Sequence, residues 1–600
     1  MRWFKLLGFS ALVLVLIAIS FVSSSDFNQD LGRHIKLGEI ILKTGAIPNT
    51  NLFTYTNPQF PFVNHHWLFE VIAYLTFHTM GVTPLLVGKA LLIIASVLIV
   101  WRTAWKITGF WAAIGAATIV IPLLLERPDI RPEVFGYFFF AVMMGILYAS
   151  EKHPSFRLAR NRCEEDSRQA GVTMQPTAWC WALQGIAWYP VLLALWSNVH
   201  VTFVFGLFLT IIFIGERFLT RQLSTKMMFF TAVAFFIVPF LNPHGVTGFF
   251  YPFFIFQNYG YSIVENQNVF FLAQMTHNTL LPYFFAVSPV VIAAGITLII
   301  TKKYRSALIL AVFFTLAIYQ IRHWPFFVFA AIIPLAEALQ FLISAVSQKK
   351  PQLFPYAKWG GIIVGIALLL WGSGNLISNS YYRIFDHQRQ FGLRIEEDYK
   401  KATDFVKANQ LPQPIFNNFD NGGYLDYALY PQYKTYVDNR PEAFPAEFLQ
   451  KKYVQLEQDN NNRMRYFQNY GIQTVIVSHT DATPWAGHFL ANMIQDKEFK
   501  LVYYDSTSVI FVKNSQLPDV RNDKKYADRA IQTETNAIKL LQLASFYQNI
   551  SDKDHFEDAF YKAKEQNPDS CTIQRILYSQ AQNSPFGNPN AIKQNAWYCF

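Results

Sequence analysis

The sequence has few charged residues for its length. Only 15% of its 600 residues are Asp, Glu, Lys or Arg, whereas 52% are hydrophobic. Soluble proteins average about a quarter charged residues, so this composition excludes a chain that is soluble throughout. Most of the chain is therefore predicted to lie in a membrane. The apolar segments stop near residue 380, and the remainder has the composition of a soluble domain.

Motifs that would indicate several other classes of function are missing. The sequence has no glycine-rich phosphate-binding loop, no zinc-ligand spacing and no aromatic-basic pattern of RNA binding. Its net charge of +10 comes mostly from positive residues in loops between apolar segments, so no nucleic-acid partner is predicted. Only four cysteines are present. Cys571 and Cys599 lie in the C-terminal tail, where a disulfide is permitted but not proven by spacing.

Apolar segments long enough to cross about 30 Å of hydrocarbon recur along the first two thirds of the chain. They predict an α-helical polytopic membrane protein with about eleven transmembrane helices. The segments lie at about 4–22, 82–100, 107–125, 134–149, 179–197, 201–215, 228–241, 282–300, 306–320, 324–345 and 358–378.

The distribution of Lys and Arg predicts the orientation of these helices, because positive residues favour the cytoplasmic side. If Arg2 and Lys5 are cytoplasmic, the loops on that side carry most of the positive residues, whereas the outer loop 242–281 has none. We therefore expect a multi-pass protein of the inner or plasma membrane. Its N-terminus is predicted to be cytoplasmic and its C-terminal domain extracytoplasmic.

Three regions follow from these patterns: a transmembrane domain at 1–380, an extracytoplasmic α/β domain at 381–515, and a linker with a helical tail at 516–600. The tail resembles half of a tetratricopeptide repeat, with a plain helical hairpin as an equal alternative. Alternation of strands and helices indicates the α/β class. Strands are predicted at 413–416, 433–437, 473–478, 500–504 and 508–513, helices at 395–409, 446–469 and 484–496, and a polar linker at 516–530.

The first outer loop, residues 23–81, is unusually rich in acids, histidines and arginine beside a membrane. Two amphipathic helices are predicted in it, at 31–44 and 66–79, lying on the membrane surface. Polar groups at the edge of lipid are costly and are often functional. This loop is therefore the first candidate for a chemical site on a lipid-linked substrate.

Other outer loops supply further candidate residues. Arginine can bind a phosphate with two hydrogen bonds, and a carboxylate can remove a proton from an acceptor hydroxyl. This mixture of residues suits a lipid phosphate or pyrophosphate as leaving group. The candidates are Asp26, Asp30, Arg33, His34, His65, His66 and Glu70 in the first loop, and Arg127, Asp129, Arg131, Glu133, Asn198, His200, Asn242, His244, Arg322 and His323 elsewhere.

These candidates also have purely structural interpretations. Arg127 and Arg131 could form ion pairs with the neighbouring acids at 129 and 133 that simply hold the loop together, an arrangement called the loop clasp below. Asn198, His200 and His244 could simply cap turns. His65, His66 and Glu70 could bind a metal, but no further ligand has a predictable position. No cofactor is therefore predicted, with a divalent metal as the less favoured alternative.

Several segments taken together resemble the GT-C superfamily of integral-membrane glycosyltransferases, in a bacterial branch. In the first outer loop they are Asp30-Leu-Gly-Arg-His34, Gly45-Ala-Ile-Pro48, Phe53-Thr-Tyr-Thr56 and Asn64-His-His-Trp-Leu-Phe-Glu70. Farther along the chain they are Arg131-Pro-Glu-Val-Phe135, Trp196-Ser-Asn-Val-His200, Asn242-Pro-His-Gly245, Asn421-Gly-Gly-Tyr-Leu425 and Val437-Asp-Asn-Arg-Pro-Glu-Ala443. The resemblance covers about residues 1–515.

The resemblance implies transfer of a sugar from a polyprenyl-phosphate donor, using an acid in the first outer loop. Carried onto this chain, that acid is Asp30, with Asp26 as the second candidate. Many relatives have another acid two residues earlier and an aromatic pair after the leucine. Here Asn28 and Gly32-Arg33 occupy those positions, so the resemblance supports neither a two-carboxylate mechanism nor a metal.

The expected mechanism is a single displacement with inversion, in which Asp30 acts as general base. The departing phosphate is expected to be held by Arg127, Arg131, Arg322, His34 and His323; the remaining substrate contacts are expected from His65, His66, Glu70, Asn198, His200 and His244. The expected partners are the lipid-linked donor, membrane lipid, and a glycan, lipid or protein acceptor. A transporter or flippase for a lipid-linked or glycan substrate, and a non-catalytic membrane scaffold, are the alternatives.

Overall fold

A computed structural model describes residues 2–23, 25–149, 188–219, 233, 235–255, 259–276, 278–349, 351–352, 354–582 and 588–599. The chain is mainly helical. Up to residue 384 the helices are α1 Arg2–Ser20, α2 Asp30–Thr44, α3 Trp67–Met80, α4 Thr83–Thr108, α5 Phe110–Val120, α6 Glu133–Ala149, α7 Trp188–Ser197, α8 Phe203–Leu219, α9 Gly245–Phe254, α10 Val269–Met275, α11 Leu280–Ile300, α12 Tyr304–Tyr319, α13 Trp324–Lys349, α14 Phe354–Ile377 and α15 Ser380–Ile384.

Among the described residues, five helices are long and apolar enough to cross a membrane: α1, α4, α11, α13 and the part of α14 from Lys358. Shorter apolar helices include α5, α6, α8 and α12. The predicted spans at 179–197 and 228–241 fall partly outside the described residues, so the total of eleven stays a prediction. The protein is a multi-pass membrane protein, and α13 is buried at the centre of its helical core.

The first outer loop folds as two packed helices, close to the predicted bounds. α2 and α3 lie against each other. α2 also contacts the C-terminal region from residue 381 onward, which is called the outer domain below after its predicted side of the membrane. Their close approach requires a glycine: a Cβ atom added to Gly38 would lie 2.0 Å from the carbonyl oxygen of Glu70. This contact holds the acid at the start of α2 in a fixed position relative to α3.

Replacing Gly38 with Ala is expected to destabilise the protein by about 3 kcal/mol, because the added methyl group has no room. The loss is measured as a lower midpoint of thermal unfolding in detergent. Gly88→Ala in α4 is the matched control, since its added methyl group would have no neighbour within 4 Å. Equal midpoints for both variants would contradict this packing.

The C-terminal region contains a small sheet covered by helices. The helices are α16 Lys400–Ala408, α17 Gly422–Leu429, α18 Val454–Gln458, α19 Asn460–Tyr470, α20 Ala486–Gln495, α21 Lys524–Thr533, α22 Ala537–Asn549, α23 Lys553–Gln566, α24 Cys571–Gln582 and α25 Pro589–Asn595. The strands are β1 Ile415–Asn417, β2 Thr474–Ser478, β3 Phe499–Tyr504 and β4 Ser508–Lys513, in the order β1-β2-β4-β3. β1 and β2 are parallel, whereas β2 with β4 and β4 with β3 are antiparallel.

Two expectations for this region were wrong. The predicted strand at 433–437 is not part of the sheet; it makes only an isolated bridge, from Thr435 to Thr54 of the first outer loop. Tyr433, Tyr436 and Val437 are buried in apolar clusters of the domain, while the backbone of Thr435 contacts that loop. The predicted linker at 516–530 contains most of α21, whose Ala527 and Ile531 are buried.

The helical tail shares the core of the α/β domain instead of forming a separate one. Phe546 and Tyr547 of α22 and Phe560 of α23 are buried in the same cluster as Val475 and Phe511 of the sheet. Cys571 and Cys599 form a disulfide, which settles the question left open by their spacing. The tail is therefore part of the outer domain structure, and its likeness to a tetratricopeptide repeat stays a prediction.

Candidate functional site

The carboxylate of Asp30, the first residue of α2, is held by three groups from different parts of the chain. Its Oδ1 accepts hydrogen bonds from Arg33 Nη2 and from Asn439 Nδ2, both at 2.8 Å. Its Oδ2 lies 3.4 Å from Arg131 Nη1. The outer domain thus contacts the first outer loop directly at this acid, and the Asp30 side chain stays 19% exposed.

Arg131 and Arg127 meet at a shared carboxylate from the loop before α10. Glu265 lies 3.3 Å from Arg131 Nη1 and also hydrogen-bonds Arg127 Nη1. Arg131 Nη2 additionally donates to Gln29 at 3.1 Å. A continuous path of ionic contacts therefore runs from Asp30 through Arg131 and Glu265 to Arg127.

The third arginine joins the same cluster through Glu133, the first residue of α6. Arg322 Nη2 donates to Glu133 Oε1 at 3.1 Å, and Arg127 Nη2 lies 3.6 Å from the same oxygen. His200 Nε2 is 3.7 Å away from it. The structure therefore brings Asp30 and all three predicted arginines together in one cluster. The loop-clasp interpretation is correct in part, because Arg127 does contact Glu133.

This cluster retains capacity to bind an anion. Arg127 Nη2 and Arg131 Nε are buried and have no hydrogen-bond partner among the described residues. Four guanidinium groups, including that of Arg33, pair with the three carboxylates of Asp30, Glu133 and Glu265. Buried donors without acceptors are rare and costly, and an incoming phosphate oxygen would satisfy them.

The protonation state of Asp30 is set by its arginine neighbours. Burial raises the pKa of its carboxyl, but the positive charges of Arg131 and Arg33 outweigh that effect and bring the pKa to about 2. Asp30 is therefore ionised across the physiological pH range.

The histidines of the first outer loop form a second group beside the arginine cluster. His34 Nδ1 lies 3.1 Å from Glu70 Oε1, and Asn64 Nδ2 donates to Glu70 Oε2 at 2.6 Å. The ring of His66 packs between those of His34 and His200, with centroid distances of 5.2 and 5.1 Å. Its Nε2 atom is buried and has no hydrogen-bond partner in the described part of the chain. His34 thus faces Glu70, although it was expected to hold the phosphate.

The remaining predicted residues do not form one cluster. His323 follows Arg322 and packs on Phe205, with ring centroids 5.4 Å apart. Asn198 uses its amide entirely within the protein: Oδ1 accepts from Trp67 Nε1, and Nδ2 donates to two backbone carbonyls. His65 and His244 border a cavity of about 10 Å³, which has room for a single water molecule.

Stability is expected to fall as the pH drops from 6.5 to 4, because buried histidines resist protonation. Burial, followed by the neighbouring His200, lowers the pKa of His65 from 6.5 to about 3; burial likewise lowers that of His200 to about 4. In this pH window the unfolded chain binds protons that the folded chain does not. Each such histidine therefore lowers the free energy of unfolding by about 1.4 kcal/mol for every pH unit. Thermal unfolding midpoints against pH test this. His65→Gln should flatten the dependence, whereas His488→Gln at an exposed position should not; identical curves would contradict it.

Asp26 and Asn28 have structural partners. Asp26 Oδ2 accepts a hydrogen bond of 2.5 Å from the backbone N–H of Ile130, so this acid shapes the loop that carries Arg127 and Arg131. Asn28 Nδ2 donates to Asp398 Oδ2 at 2.9 Å, and its Oδ1 accepts from the Asp398 N–H at 2.8 Å. The position where many relatives have a second acid therefore ties the first outer loop to the outer domain.

Two residues of the cluster were not singled out from the sequence, Glu265 and its neighbour Asn266. Asn439 lies in a segment that carries the family resemblance, but its contact with Asp30 was not predicted. Asn266 Oδ1 accepts from Arg322 Nη1 at 2.9 Å. Glu265 could have been found, because it is the only charged residue in the outer loop 242–281. Asn439 gave no such signal on its own. Its neighbours form the internal Asp438–Arg440 ion pair, with Nη2 and Oδ2 2.6 Å apart.

The residues around Asp30 do not suit a metal ion. Both carboxylate oxygens face guanidinium or amide N–H groups, which would repel a cation. Within the described residues, no three His, Cys, Asp or Glu side chains are grouped so as to hold a metal. No step of the mechanism is therefore derived through one.

Comparison with known proteins identifies the fold. No family model and no curated protein matches the sequence. Among solved structures, the chain is similar to the archaeal oligosaccharyltransferase AglB from Archaeoglobus fulgidus in complex with an inhibitory peptide and a dolichol-phosphate. The TM-score is 0.54 at 11% identity, over 96% of this chain and 86% of that one.

Two weaker similarities are of the same kind. The Archaeoglobus fulgidus oligosaccharyltransferase complex with Zn and sulfate gives a TM-score of 0.48 at 13% identity, over 96% of this chain and 86% of that one. ArnT from Cupriavidus metallidurans bound to undecaprenyl phosphate gives 0.43 at 11% identity, over 86% and 98%. The assignment of fold rests on the AglB comparison. The fold is that of the archaeal oligosaccharyltransferase AglB.

Proposed function

We propose that this protein is a membrane glycosyltransferase that moves a sugar from a polyprenyl-phosphate donor to an acceptor outside the cytoplasm. The observation that carries the proposal is the ionic path from Asp30 to Arg131, Arg127 and Arg322. The carboxylate that can accept a proton from the acceptor is thereby adjacent to guanidinium groups that can donate hydrogen bonds to the leaving phosphate. The GT-C fold adds support, because the similar AglB structure contains a dolichol-phosphate.

In the proposed reaction, the phosphate of the donor lies against the three guanidinium groups. The unsatisfied N–H groups of Arg127 and Arg131 bind its oxygens. Arg131 Nη1 makes long contacts of 3.3 and 3.4 Å with Glu265. When the donor binds, these contacts are replaced by shorter hydrogen bonds to the phosphate. As the bond between the anomeric carbon and the phosphate oxygen breaks, these charges stabilise the departing polyprenyl phosphate.

Asp30 serves as the proton acceptor for the attacking group. The acceptor hydroxyl approaches the anomeric carbon from the face opposite the phosphate and transfers its proton to Asp30, so the configuration inverts. A carboxylate with a pKa of about 2 is a weak base. It accepts the proton when the new C–O bond has largely formed and the acceptor oxygen has become acidic.

The other predicted residues act around this centre. His34 and His323 border the donor site, and His65, His66, Glu70, Asn198, His200 and His244 shape the wall on which substrate lies. Asn439 brings the outer domain to Asp30, so an acceptor reaching the acid passes that domain. With the predicted orientation, transfer takes place on the outer face of the inner or plasma membrane.

Mass spectrometry of cell-envelope glycans, with and without the protein, tests this function. We expect one sugar to be missing from a glycan, lipid or protein when the protein is absent, and its polyprenyl-phosphate-linked form to accumulate outside. Unchanged envelope glycans would refute the proposal. Accumulation of the lipid-linked sugar on the cytoplasmic face would instead indicate a flippase.

A further inference from the structure

A second cavity, much larger than the one bordered by His65 and His244, lies between the first outer loop and the outer domain, on the far side of α2 from Asp30. Its volume is about 670 Å³, within the range of ligand-binding pockets. Glu39, in its lining, is nine residues after Asp30. Nine residues make about two and a half helical turns, which places the two side chains on opposite faces of α2. The cavity is therefore distinct from the arginine cluster.

Two helices from different regions line this cavity with equally spaced lysines. Lys36 and Lys43 of α2 are seven residues apart, and so are Lys400 and Lys407 of α16. Seven residues make about two helical turns, so each pair lies on one face, with its members about 10 Å apart. The cavity thus has a row of two cations on each of two helices.

The positive charges of these rows are only partly neutralised. Lys36 and Lys43 share one carboxylate, that of Glu39, at 2.9 and 2.5 Å. Lys407 makes no ion pair with any described residue. Lys400 lies 3.3 Å from Asp404, but both side chains are more than half exposed, so this pair is weak. An anionic ligand would therefore gain electrostatic attraction here.

Aromatic rings line the space between the helices. Tyr74 and Phe77 of α3 and Tyr424 and Tyr427 of α17 border the cavity. The hydroxyl of Tyr424 donates to Glu397 at 3.1 Å. Aromatic faces and tyrosine hydroxyls together suit a ligand that is apolar on one face and polar at its edges.

We propose that this cavity binds an anionic saccharide chain. Its carboxylate or phosphate groups would face the lysines, and its sugar rings would pack on the aromatic side chains. The three carboxylates in the lining distinguish a saccharide from a bare anionic lipid headgroup. A bare phosphate headgroup would leave these carboxylates without donors, whereas sugar hydroxyls can donate hydrogen bonds to them. The inference goes beyond the transfer reaction and does not depend on it.

Binding to the full-length protein in phosphatidylcholine nanodiscs tests this proposal. The probe is a fluorescent oligogalacturonate of four sugars, with maltotetraose as the neutral counterpart. We expect the anionic chain to bind at least about tenfold more tightly, and more weakly as salt increases. Equal affinity for the two saccharides would overturn the proposal.

Matched variants locate the site. The double substitution Lys400→Ala and Lys407→Ala should weaken oligogalacturonate binding by about tenfold or more. Lys401→Ala should not, because this exposed lysine of α16 is not in the cavity lining. Equal losses for both would show non-specific attraction to a basic surface. If nanodiscs containing phosphatidylglycerol abolish binding of the saccharide, the cavity is a lipid-headgroup site and the proposal fails.

Discussion

Replacing Asp30 with Asn is expected to lower the turnover of the proposed sugar transfer by about 1,000-fold, because the proton acceptor is lost while the shape of the side chain is kept. Turnover is measured as release of undecaprenyl phosphate from lipid-linked sugars extracted from the same cells. The loss is expected in kcat, since the donor contacts of the three arginines remain.

Folding and chemistry are separated by two further variants. Asp569→Asn, in the exposed part of the tail, is the matched control and should keep full turnover. Asp26→Asn should lower thermal stability more than kcat, because Asp26 holds the backbone of the loop at Ile130. If Asp30→Asn kept more than about a tenth of the wild-type kcat, Asp30 could not be the general base.

Replacing Arg131 with Gln is expected to weaken binding of the probe undecaprenyl phosphate by about 30-fold, which corresponds to the loss of one charge-assisted hydrogen-bonding group. Arg131 is the guanidinium that contacts both Asp30 and Glu265, and its Nε has no hydrogen-bond partner among the described residues. Affinity is measured by titration of the full-length protein in detergent.

Two comparisons make this result specific. Arg131→Lys should restore little affinity, because an ammonium group cannot supply the planar set of donors. Arg394→Gln is the control: that side chain is 70% exposed and, among the described residues, its one ion pair is with Glu396. Unchanged affinity in Arg131→Gln, or an equal loss in Arg394→Gln, would contradict the assignment of the phosphate site.

The sequence predicted the general architecture because its signals are local. Apolar length indicated the transmembrane helices, and amphipathic spacing placed α2 and α3 to within a residue or two of their observed bounds. The prediction of a strand at 433–437 was wrong, because aromatic and β-branched residues are also found where an extended segment borders a core without joining the sheet. Its partner, Thr54, is far away in sequence.

The candidate site was predictable only in part. The arginines could be recognised because they lie beside acids and histidines in predicted outer loops, where positive residues are few. The structure brings Arg127, Arg131 and Arg322 together. The partners that organise them could not. Glu265 and Asn439 reach the cluster through contacts that span more than a hundred residues, which a single sequence does not reveal.

The roles of the histidines show the same limit. His34 was expected at the phosphate, but the buried carboxylate of Glu70 holds its ring. Asn198 was expected at the substrate, yet its amide forms hydrogen bonds with Trp67 and two backbone carbonyls. Residue type and approximate location were visible in the sequence, whereas the direction of each side chain depended on tertiary contacts.

The most direct test of the central claim is the envelope glycan profile of cells that lack the protein and are complemented with one variant at a time. At equal amounts in the membrane, wild type and Asp569→Asn are predicted to restore the missing sugar, and Asp30→Asn is predicted to leave it missing. Restoration of the sugar by Asp30→Asn to the wild-type level would contradict the account.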